Sequence, residues 1–221
     1  MTRLIAGADI GGTKTHIRTA LVEVSDDAPA PVVGVVADLV LPSDGWQATS
    51  PAKAAAWLAE RLPPGDFSHL AVGAHACETP AQCAALAAAL RALLGLPVTV
   101  VNDAELLVPA AGLPGGVGVI AGTGSIAVGR HAVTGEYLSA GGWGWVLGDE
   151  GSASALVREA AKAVLARADE GGEPDELGRA LLRSYGVPGL PELAAAMSWD
   201  SGVETWGAHA PAVFAAAEAG S

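Results

Sequence analysis

The first candidate for chemistry is an aspartate that lies just before a glycine turn. Asp9 belongs to the strand pattern 4–10, and Gly11, Gly12 and Thr13 follow it. Glycines leave no side chain over a turn and permit positive φ angles, so several backbone N–H groups can converge there on an anion. A carboxylate at this place can also hold Mg²⁺ through water. The stretch predicts a phosphate-binding turn, with an ordinary β-hairpin as the alternative.

A similar glycine turn occurs in the second half of the chain. Gly122, Thr123 and Gly124 join the strand patterns 117–121 and 125–131. One such turn predicts no more than a hairpin, whereas a pair, one from each half, can close on a polyphosphate from opposite sides. The two turns together favour phosphate binding, and two plain hairpins remain the alternative.

A second carboxylate follows a buried strand pattern and opens a helical one. Asp103 comes after the run 98–101 and Asn102, and the helical pattern 104–111 comes next. Open α/β sheets present their reactive groups at this kind of strand end. Asp103 could accept the proton of a hydroxyl group whose oxygen attacks phosphorus. The alternative is that Asn102 or Asp103 simply caps the helix.

The segment 141–152, GGWGWVLGDEGS, combines two tryptophans with four glycines before its acidic end and a fifth after it. Tryptophan faces stack on sugar rings, and carboxylates such as Asp149 accept hydrogen bonds from sugar hydroxyls. The alternative places the tryptophans in the core and uses Ser152 as a helix cap. We expect one tryptophan to be packed in the core and Trp143 to face a ligand.

The elements that must position these residues alternate between strands and helices. Strand patterns cover 4–10, 16–24, 32–40, 69–75, 98–101, 117–121, 125–131 and 136–140, with a loop at 25–31. Helical patterns cover 51–62, 80–94, 104–111, 152–168, 174–185, 191–197 and a segment from 208. Each half opens with two strands joined by a glycine turn, which predicts a duplicated α/β plan with a cleft between two lobes.

Composition excludes several classes of partner. The chain has 221 residues, of which 51% are hydrophobic, and its 24 acidic and 12 basic residues give a net charge of −12. Without a cluster of lysines and arginines it is not expected to bind nucleic acid, and an anionic membrane would repel it. No apolar run reaches the roughly 18 residues of a membrane span, and no secretory leader pattern is present. Cys77 and Cys83 cannot build a disulfide framework. We therefore predict a soluble, cytoplasmic protein.

Four motifs together carry a resemblance to a known family. DIGGTKT, NDAELLVPAAG, GVIAGTGSIAVGR and GGWGWVLGDEGSAS, in this order, resemble the N-acetylglucosamine kinase branch of the BadF/BadG-type ATPases. That family belongs to the sugar kinase–actin–heat-shock ATPase superfamily. The resemblance implies two ribonuclease-H-like lobes around a central cleft, predicted at 1–112 and 113–221. It also implies ATP with Mg²⁺ on one side of the cleft and an amino sugar on the other.

The resemblance also implies roles for individual residues. Asp103 is similar to the family's general base, which activates the 6-hydroxyl of the sugar. ATP would be held by the two glycine turns, namely by Asp9, Gly11, Gly12, Thr13, Lys14, Gly122, Thr123 and Gly124. The sugar would contact two segments, represented by Asp44, Trp46, Gly142, Trp143, Gly144 and Asp149. Mg²⁺ would be held by Asp9 through water.

Two departures from the family pattern bear on activity. The family usually has an asparagine before the tryptophan of the loop after the third strand, and here Asp44 takes its place. A carboxylate pairs better with a free 2-ammonium group than with an acetamide, so glucosamine joins N-acetylglucosamine as a predicted substrate. The chain also ends in what resembles the middle of the family's second lobe, which leads us to expect that this lobe is truncated.

The sequence therefore predicts an ATP-dependent hexosamine kinase. The alternatives are an ATPase of the same fold that activates a partner protein, and a non-catalytic sugar-sensing module. The five histidines show no metal-ligand spacing and are interpreted as surface or core residues: His16, His69, His75, His131 and His209. A homodimer is compatible with the sequence but is not indicated by it.

Overall fold

A computed structural model describes residues 1–23, 32–200 and 203–220. Val24, the last residue of a predicted strand, and the predicted loop 25–31 lie outside this part of the chain. Among the residues described, no helix is both long and apolar enough to cross a bilayer. The strands and helices follow one another in the expected order, and the predicted α/β class is confirmed.

The chain divides into two compact units. Unit 1 comprises Met1–Gly118 and Val128–Leu138, and unit 2 comprises Val119–Ala127 and Ser139–Ser221. The predicted lobes, 1–112 and 113–221, stay a prediction, because compactness alone does not define a ribonuclease-H-like lobe.

Unit 1 is built on a mixed five-stranded sheet, in which the order across the sheet is the third, second, first, fourth and fifth strand of the chain. Its strands are β1 (Thr2–Ile10), β2 (Lys14–Glu23), β3 (Val32–Pro42), β4 (His69–Ala74) and β5 (Val98–Asn102). The first three strands pair antiparallel, whereas β1, β4 and β5 run parallel. The carboxyl ends of these three parallel strands therefore lie at one edge of the sheet.

Two helices cover one face of this sheet. They are α1 (Pro51–Ala59) and α2 (Pro80–Leu94), which pack against each other. Helix α2 begins with a capping box between Thr79 and Gln82 and ends at Gly95, whose φ is +69°. Its buried residues are spaced i, i+3, i+4 and i+7, as an amphipathic helix requires. They join the core of unit 1, whose most deeply buried large side chains are Ile10, Ile17, Leu58, Leu70, Leu86 and Leu90.

The segment after β5 differs from the single helix predicted at 104–111. Asp103–Leu106 forms a 3₁₀-helix, and the α-helix α3 covers only Leu107–Ala110. Pro109 has no N–H group, so it cannot donate the α-helical hydrogen bond to the carbonyl of Glu105. Without that bond the first turn takes the tighter 3₁₀ form, which is common at such junctions.

Unit 2 is mainly helical and has its own core. The strands β6 (Val117–Ala121), β7 (Ser125–Arg130) and β8 (Tyr137–Gly141) form a sheet in that order, and the division into units passes through it. The helices are α4 (Ala153–Asp169), α5 (Glu176–Tyr185), α6 (Leu190–Ala195) and α7 (Ala210–Glu218). A π-helical turn, Ala196–Asp200, and a 3₁₀-helix, Val203–His209, lie between α6 and α7. The core includes Val157, Ala161, Val164, Leu181, Leu193 and Val213.

Candidate functional site

Three parallel strands of unit 1 end side by side. Ile10 of β1 is in register with Ala74 of β4, and Ala74 is in register with Asn102 of β5. The residues that follow these positions are the first glycine turn, His75 and Asp103, and they leave the sheet at the same edge. Ligands of open α/β sheets bind outside such strand ends. The structure thus brings the first glycine turn and Asp103 together within unit 1.

The first glycine turn closes the hairpin between β1 and β2. The Gly11 N–H donates to the Lys14 carbonyl oxygen (2.9 Å), so this N–H is used inside the turn. Neither Gly11 nor Gly12 uses the positive φ angle that glycine permits. Glycine is favoured at 11 for another reason, since a Cβ there would lie 3.2 Å from the Lys14 oxygen. The hairpin alternative therefore describes the fold of this turn, and a hairpin tip remains open to an anion.

Asp9 precedes this turn and reaches the surface of the sheet edge. Desolvation by the surrounding protein raises the pKa of the Asp9 carboxyl. His16, its register partner on β2, opposes the shift because its positive form stabilises the carboxylate. Asp9 therefore presents an acidic group whose charge is only partly compensated by the protein, which suits a cation that arrives with a phosphate.

Asp103 is the first residue of the 3₁₀-helix and is half-buried. The capping role belongs to Asn102, whose buried side chain accepts from the Ala104 N–H (3.0 Å). The Glu105 carboxylate in turn accepts from the Asn102 N–H (3.4 Å). One oxygen of Asp103 also accepts from the Ala104 N–H (3.1 Å), which orients the carboxylate. Asn102 thus fills the structural role that the sequence left open between the two residues.

The electrostatic surroundings of Asp103 increase its affinity for a proton. Burial raises the pKa of the Asp103 carboxyl above its ordinary value, and the negative charge of Asp9 acts in the same direction. The positive form of His75 and the Ala104 N–H lower the pKa. The net direction is upward, and a carboxylate with a raised pKa is a better proton acceptor near neutral pH.

The loop that carries Asp44 is tied to the first glycine turn. The Ser43 N–H donates to the Thr13 carbonyl oxygen (3.1 Å), and the buried hydroxyls of Ser43 and Thr15 are 2.9 Å apart. The carbonyl of Asp44 accepts from the indole N–H of Trp57 (2.8 Å), and Asp44 itself is exposed. Asp44 therefore lies next to the turn with its side chain available to a ligand.

Trp46 connects the same loop to the end of β4. Its ring packs edge-to-face on Trp57, with 5.4 Å between centroids, and its indole N–H donates to the His75 carbonyl oxygen (3.1 Å). The ring is half-buried and contributes to the core of unit 1. Trp46 therefore positions the loop, and its predicted contact with a sugar stays a prediction.

In unit 2 the second glycine turn lies against the start of α4. The Gly122 carbonyl accepts from the Ala153 N–H (2.7 Å), and the Ser125 hydroxyl donates to the Glu150 carbonyl (2.8 Å). A Cβ on Gly124 would lie 3.0 Å from a carboxylate oxygen of Asp149. The structure therefore brings the predicted phosphate turn Gly122–Thr123–Gly124 and Asp149 together.

Asp149 and Ser152 form the turn that begins α4. Asp149 is buried and has a φ of +59°, a conformation that aspartate tolerates better than most residues but that still carries strain. Its carbonyl accepts from the Ser152 N–H (2.9 Å), and the Ser152 hydroxyl accepts from the Ala155 N–H (3.1 Å). Ser152 is therefore the helix cap, as one alternative proposed.

The glycine–tryptophan segment separates its two aromatic residues. Gly142 and Gly144 have φ angles of +72° and +81°, so the chain turns sharply on both sides of Trp143. The Trp143 side chain is 76% exposed. Trp145 is half-buried and packs edge-to-face on Trp206, with 5.1 Å between centroids. One tryptophan is thus packed and Trp143 is available to a ligand, while sugar contact itself stays a prediction.

His75 is the residue of this edge to which the sequence analysis gave no role. Its side chain is exposed, and its Nε2 would lie 3.7 Å from a Cβ on Gly12. His75 follows β4 in the way that Asp103 follows the neighbouring β5. The rule that ligands bind outside the carboxyl ends of parallel strands could therefore have found it. It was missed because the histidines were judged by metal-ligand spacing alone.

Comparisons with known proteins agree with the motifs. No family model matches the chain. It is 45% identical over 78 residues to an N-acetylmuramic acid/N-acetylglucosamine kinase of Clostridium acetobutylicum, a match that spans 34% of this chain and 25% of that protein. The chain therefore covers only about a quarter of the length of this curated relative.

Two crystal structures resemble the chain over nearly its whole length. A protein from Chromobacterium violaceum, described as a candidate N-acetylglucosamine kinase, aligns with a TM-score of 0.71 and 25% identity over 98% of this chain and 75% of that one. A candidate N-acetylglucosamine kinase from Porphyromonas gingivalis aligns with a TM-score of 0.62 and 20% identity over 97% of this chain and 77% of that one. The resemblance predicted from the motifs is confirmed: this chain has a fold of the sugar kinase–actin–heat-shock ATPase superfamily and is similar to N-acetylglucosamine kinases.

Proposed function

We propose that this chain phosphorylates an amino sugar at its 6-hydroxyl with ATP, and that Asp103 is the general base. The observation that carries the proposal is the position of Asp103 in unit 1. It lies at the same sheet edge as Asp9 and the first glycine turn, and its pKa is raised. The kinase names of the proteins similar to this chain support the choice of an amino sugar as the acceptor.

Asp103 would act on the acceptor hydroxyl. Its carboxylate is oriented by the Ala104 N–H and would accept the proton as the hydroxyl oxygen attacks the terminal phosphorus. A bond from that oxygen to phosphorus forms, and the bond from phosphorus to the ADP oxygen breaks. General-base catalysis of this kind contributes about 10²–10⁴-fold to the rate.

The first glycine turn would hold the phosphates of ATP through Gly11, Gly12, Thr13 and Lys14. The second turn, Gly122–Thr123–Gly124, is likewise proposed to bind phosphate. Among the described residues no group of three potential metal ligands occurs, so Mg²⁺ would be held by Asp9 through water and by the phosphates themselves. Bound Mg²⁺ would neutralise phosphate charge.

The acceptor specificity would depend on Asp44. Its side chain is exposed. Asp44 lies beside the first turn, because the N–H of the preceding residue, Ser43, is hydrogen-bonded to the Thr13 carbonyl oxygen. A carboxylate attracts the 2-ammonium group of glucosamine and offers no donor to the oxygen of an acetamide. We therefore propose that glucosamine is a better substrate than N-acetylglucosamine, with Trp46, Trp143 and Asp149 as the other sugar-binding candidates.

The decisive experiment is an ADP-release assay of the 221-residue chain with glucosamine, N-acetylglucosamine and other hexosamines, in parallel with Asp103→Asn. We expect sugar-dependent ADP release that Asp103→Asn lowers by about 10³-fold, because asparagine keeps the shape of the side chain but cannot take the proton. Glucosamine is expected to give the highest kcat/KM.

Other outcomes would reject parts of the proposal. Near-wild-type turnover by Asp103→Asn would remove Asp103 from the mechanism. ATP hydrolysis that no sugar affects would favour an ATPase that drives a partner protein. Sugar binding in calorimetry without any Mg·ATP binding would favour a sugar-sensing module. A strong preference for N-acetylglucosamine would reject the role given to Asp44.

A further inference from the structure

The side chain of His75 lies over the first glycine turn. Its Nε2 is the ring atom nearest to Gly12, at 3.7 Å from the position of a Cβ there, and the neighbouring ring carbons are at 3.9 Å. The ring is exposed to solvent rather than packed in the core. A ligand that occupies the turn would therefore meet the imidazole.

The backbone of His75 is held on both sides. Its N–H donates to the Ile10 carbonyl oxygen (2.7 Å), and its own carbonyl accepts from the indole N–H of Trp46 (3.1 Å). The next residue, Ala76, has a φ of +63°, which is unusual for a residue with a Cβ. Strained residues of this kind cluster at ligand-binding sites, where the surrounding structure enforces them. The backbone that carries the imidazole is therefore held in place by the fold.

His75 also lies close enough to Asp103 to influence it. Its positive form is the strongest influence that lowers the pKa of the Asp103 carboxyl. The imidazole thus lies beside Gly12 and near Asp103, and the carbonyl of the same residue is bonded to Trp46, all within unit 1.

We propose that His75 is a catalytic residue that donates a hydrogen bond from its imidazole to the phosphoryl group in transfer. The proposal rests on the proposed kinase function. His75 keeps its proton throughout: Asp103 takes the hydroxyl proton, the phosphoryl group moves to the sugar oxygen, and ADP leaves. A donor aimed at the charge of the transferring group stabilises the transition state more than the ground state.

The test uses His75→Leu, which removes the donor, His75→Gln, which keeps a donor, and His69→Gln as a control. His69 is the first residue of β4, whereas His75 directly follows the last residue of that strand. The His69 ring is hydrogen-bonded to the Thr99 hydroxyl (3.0 Å). With Mg·ATP and an accepted amino sugar, we expect His75→Leu to lower kcat by about 10²-fold with an unchanged KM for the sugar. His75→Gln should retain part of the rate, and His69→Gln all of it.

A binding measurement separates this inference from the kinase proposal. Magnesium tripolyphosphate, titrated by calorimetry without sugar, should bind wild type about 10-fold more tightly than His75→Leu, because a hydrogen bond to a charged group is lost. If wild type binds tripolyphosphate with this difference but phosphorylates no sugar, the kinase proposal fails and the phosphate contact stands. Three results would overturn the inference: no tripolyphosphate binding by wild type, equal affinity and kcat in His75→Leu, or a defect confined to the KM of the sugar. Thermal unfolding of each variant checks that the fold is intact.

Discussion

Asp103 shows at the scale of one residue how a reactive group opposes stability. Its pKa in the folded chain is raised from 3.8, chiefly by burial, so the native state binds its proton more tightly than the unfolded state does. Below pH 3.8 the carboxyl is protonated in both states and burial of the neutral form is favourable. This contribution is lost as the pH rises through the raised native pKa, and at neutral pH the buried charge is destabilising.

Asp103→Asn is therefore expected to be more stable than wild type at neutral pH. Asparagine is neutral at every pH, and its side-chain oxygen can still accept from the Ala104 N–H. The urea midpoint of the variant should exceed that of wild type at pH 8, and the gap should narrow as the pH falls towards 3.8. Gain of stability with loss of activity is the usual trade-off at a catalytic position.

Asp66→Asn is the control, because it makes the same chemical change at an exposed aspartate. Asp66→Asn removes one carboxylate from an exposed loop of the same unit, and it should shift the midpoint little at any pH. A gap between Asp103→Asn and wild type that is constant over the whole pH range, or that has the opposite sign, would contradict the argument from burial.

At the scale of single elements, the sequence predicts the parts whose signals are local. Helix α2 was predicted at 80–94 and is found there, because Pro80 at its start and Gly95 after its end are strong local signals. The segment after β5 was predicted as one helix, and the effect of Pro109 on its first turn was overlooked. The alignment of three strand ends that places His75 beside Asp103 depends on the sheet order, which no local pattern contains.

Strand β4 packs closely against the 3₁₀-helix Asp103–Leu106 at Gly73. A Cβ on Gly73 would lie 2.2 Å from Cδ1 of Leu106 and 3.3 Å from the Cα of Asp103. Gly73→Ala must therefore displace the Leu106 side chain, and it presses on the backbone of the proposed base. We expect a loss of about 1–3 kcal/mol in the free energy of unfolding, as for other overpacked sites, and a fall in kcat that exceeds any change in KM.

Gly34→Ala is the control for this substitution. Gly34 also lies in a strand of the same sheet, but no atom lies within 4 Å of the position of its Cβ. Urea unfolding and ADP release should both stay close to wild type in Gly34→Ala. Equal behaviour of the two variants would show that the close approach at Gly73 does not matter for the position of Asp103.

At the scale of the whole molecule, the sequence predicts two lobes, 1–112 and 113–221, and this division stays a prediction. The glycine turns that open each half indicated a duplication, which stays a prediction. The compact units cut across this plan, because residues 128–138 belong with the first unit although they follow residues of the second. The assignment of residues 128–138 to the first unit depends on three-dimensional packing, which no local sequence pattern contains. The predicted arrangement of the two glycine turns across a cleft stays a prediction.

The two cores predict that unfolding is not a single two-state transition. The core residues of unit 1 and those of unit 2 form separate clusters, and each cluster contains fully buried leucines such as Leu90 and Leu181. Removing a buried leucine side chain costs about 2–5 kcal/mol in the core that holds it. Leu90→Ala should therefore lower the urea midpoint of one transition, and Leu181→Ala that of another, with each variant serving as the control for the other.

Tryptophan fluorescence can follow both transitions, because the Trp46–Trp57 pair and the Trp145–Trp206 pair lie in different units. One transition shifted equally by both variants would show that the two cores unfold together.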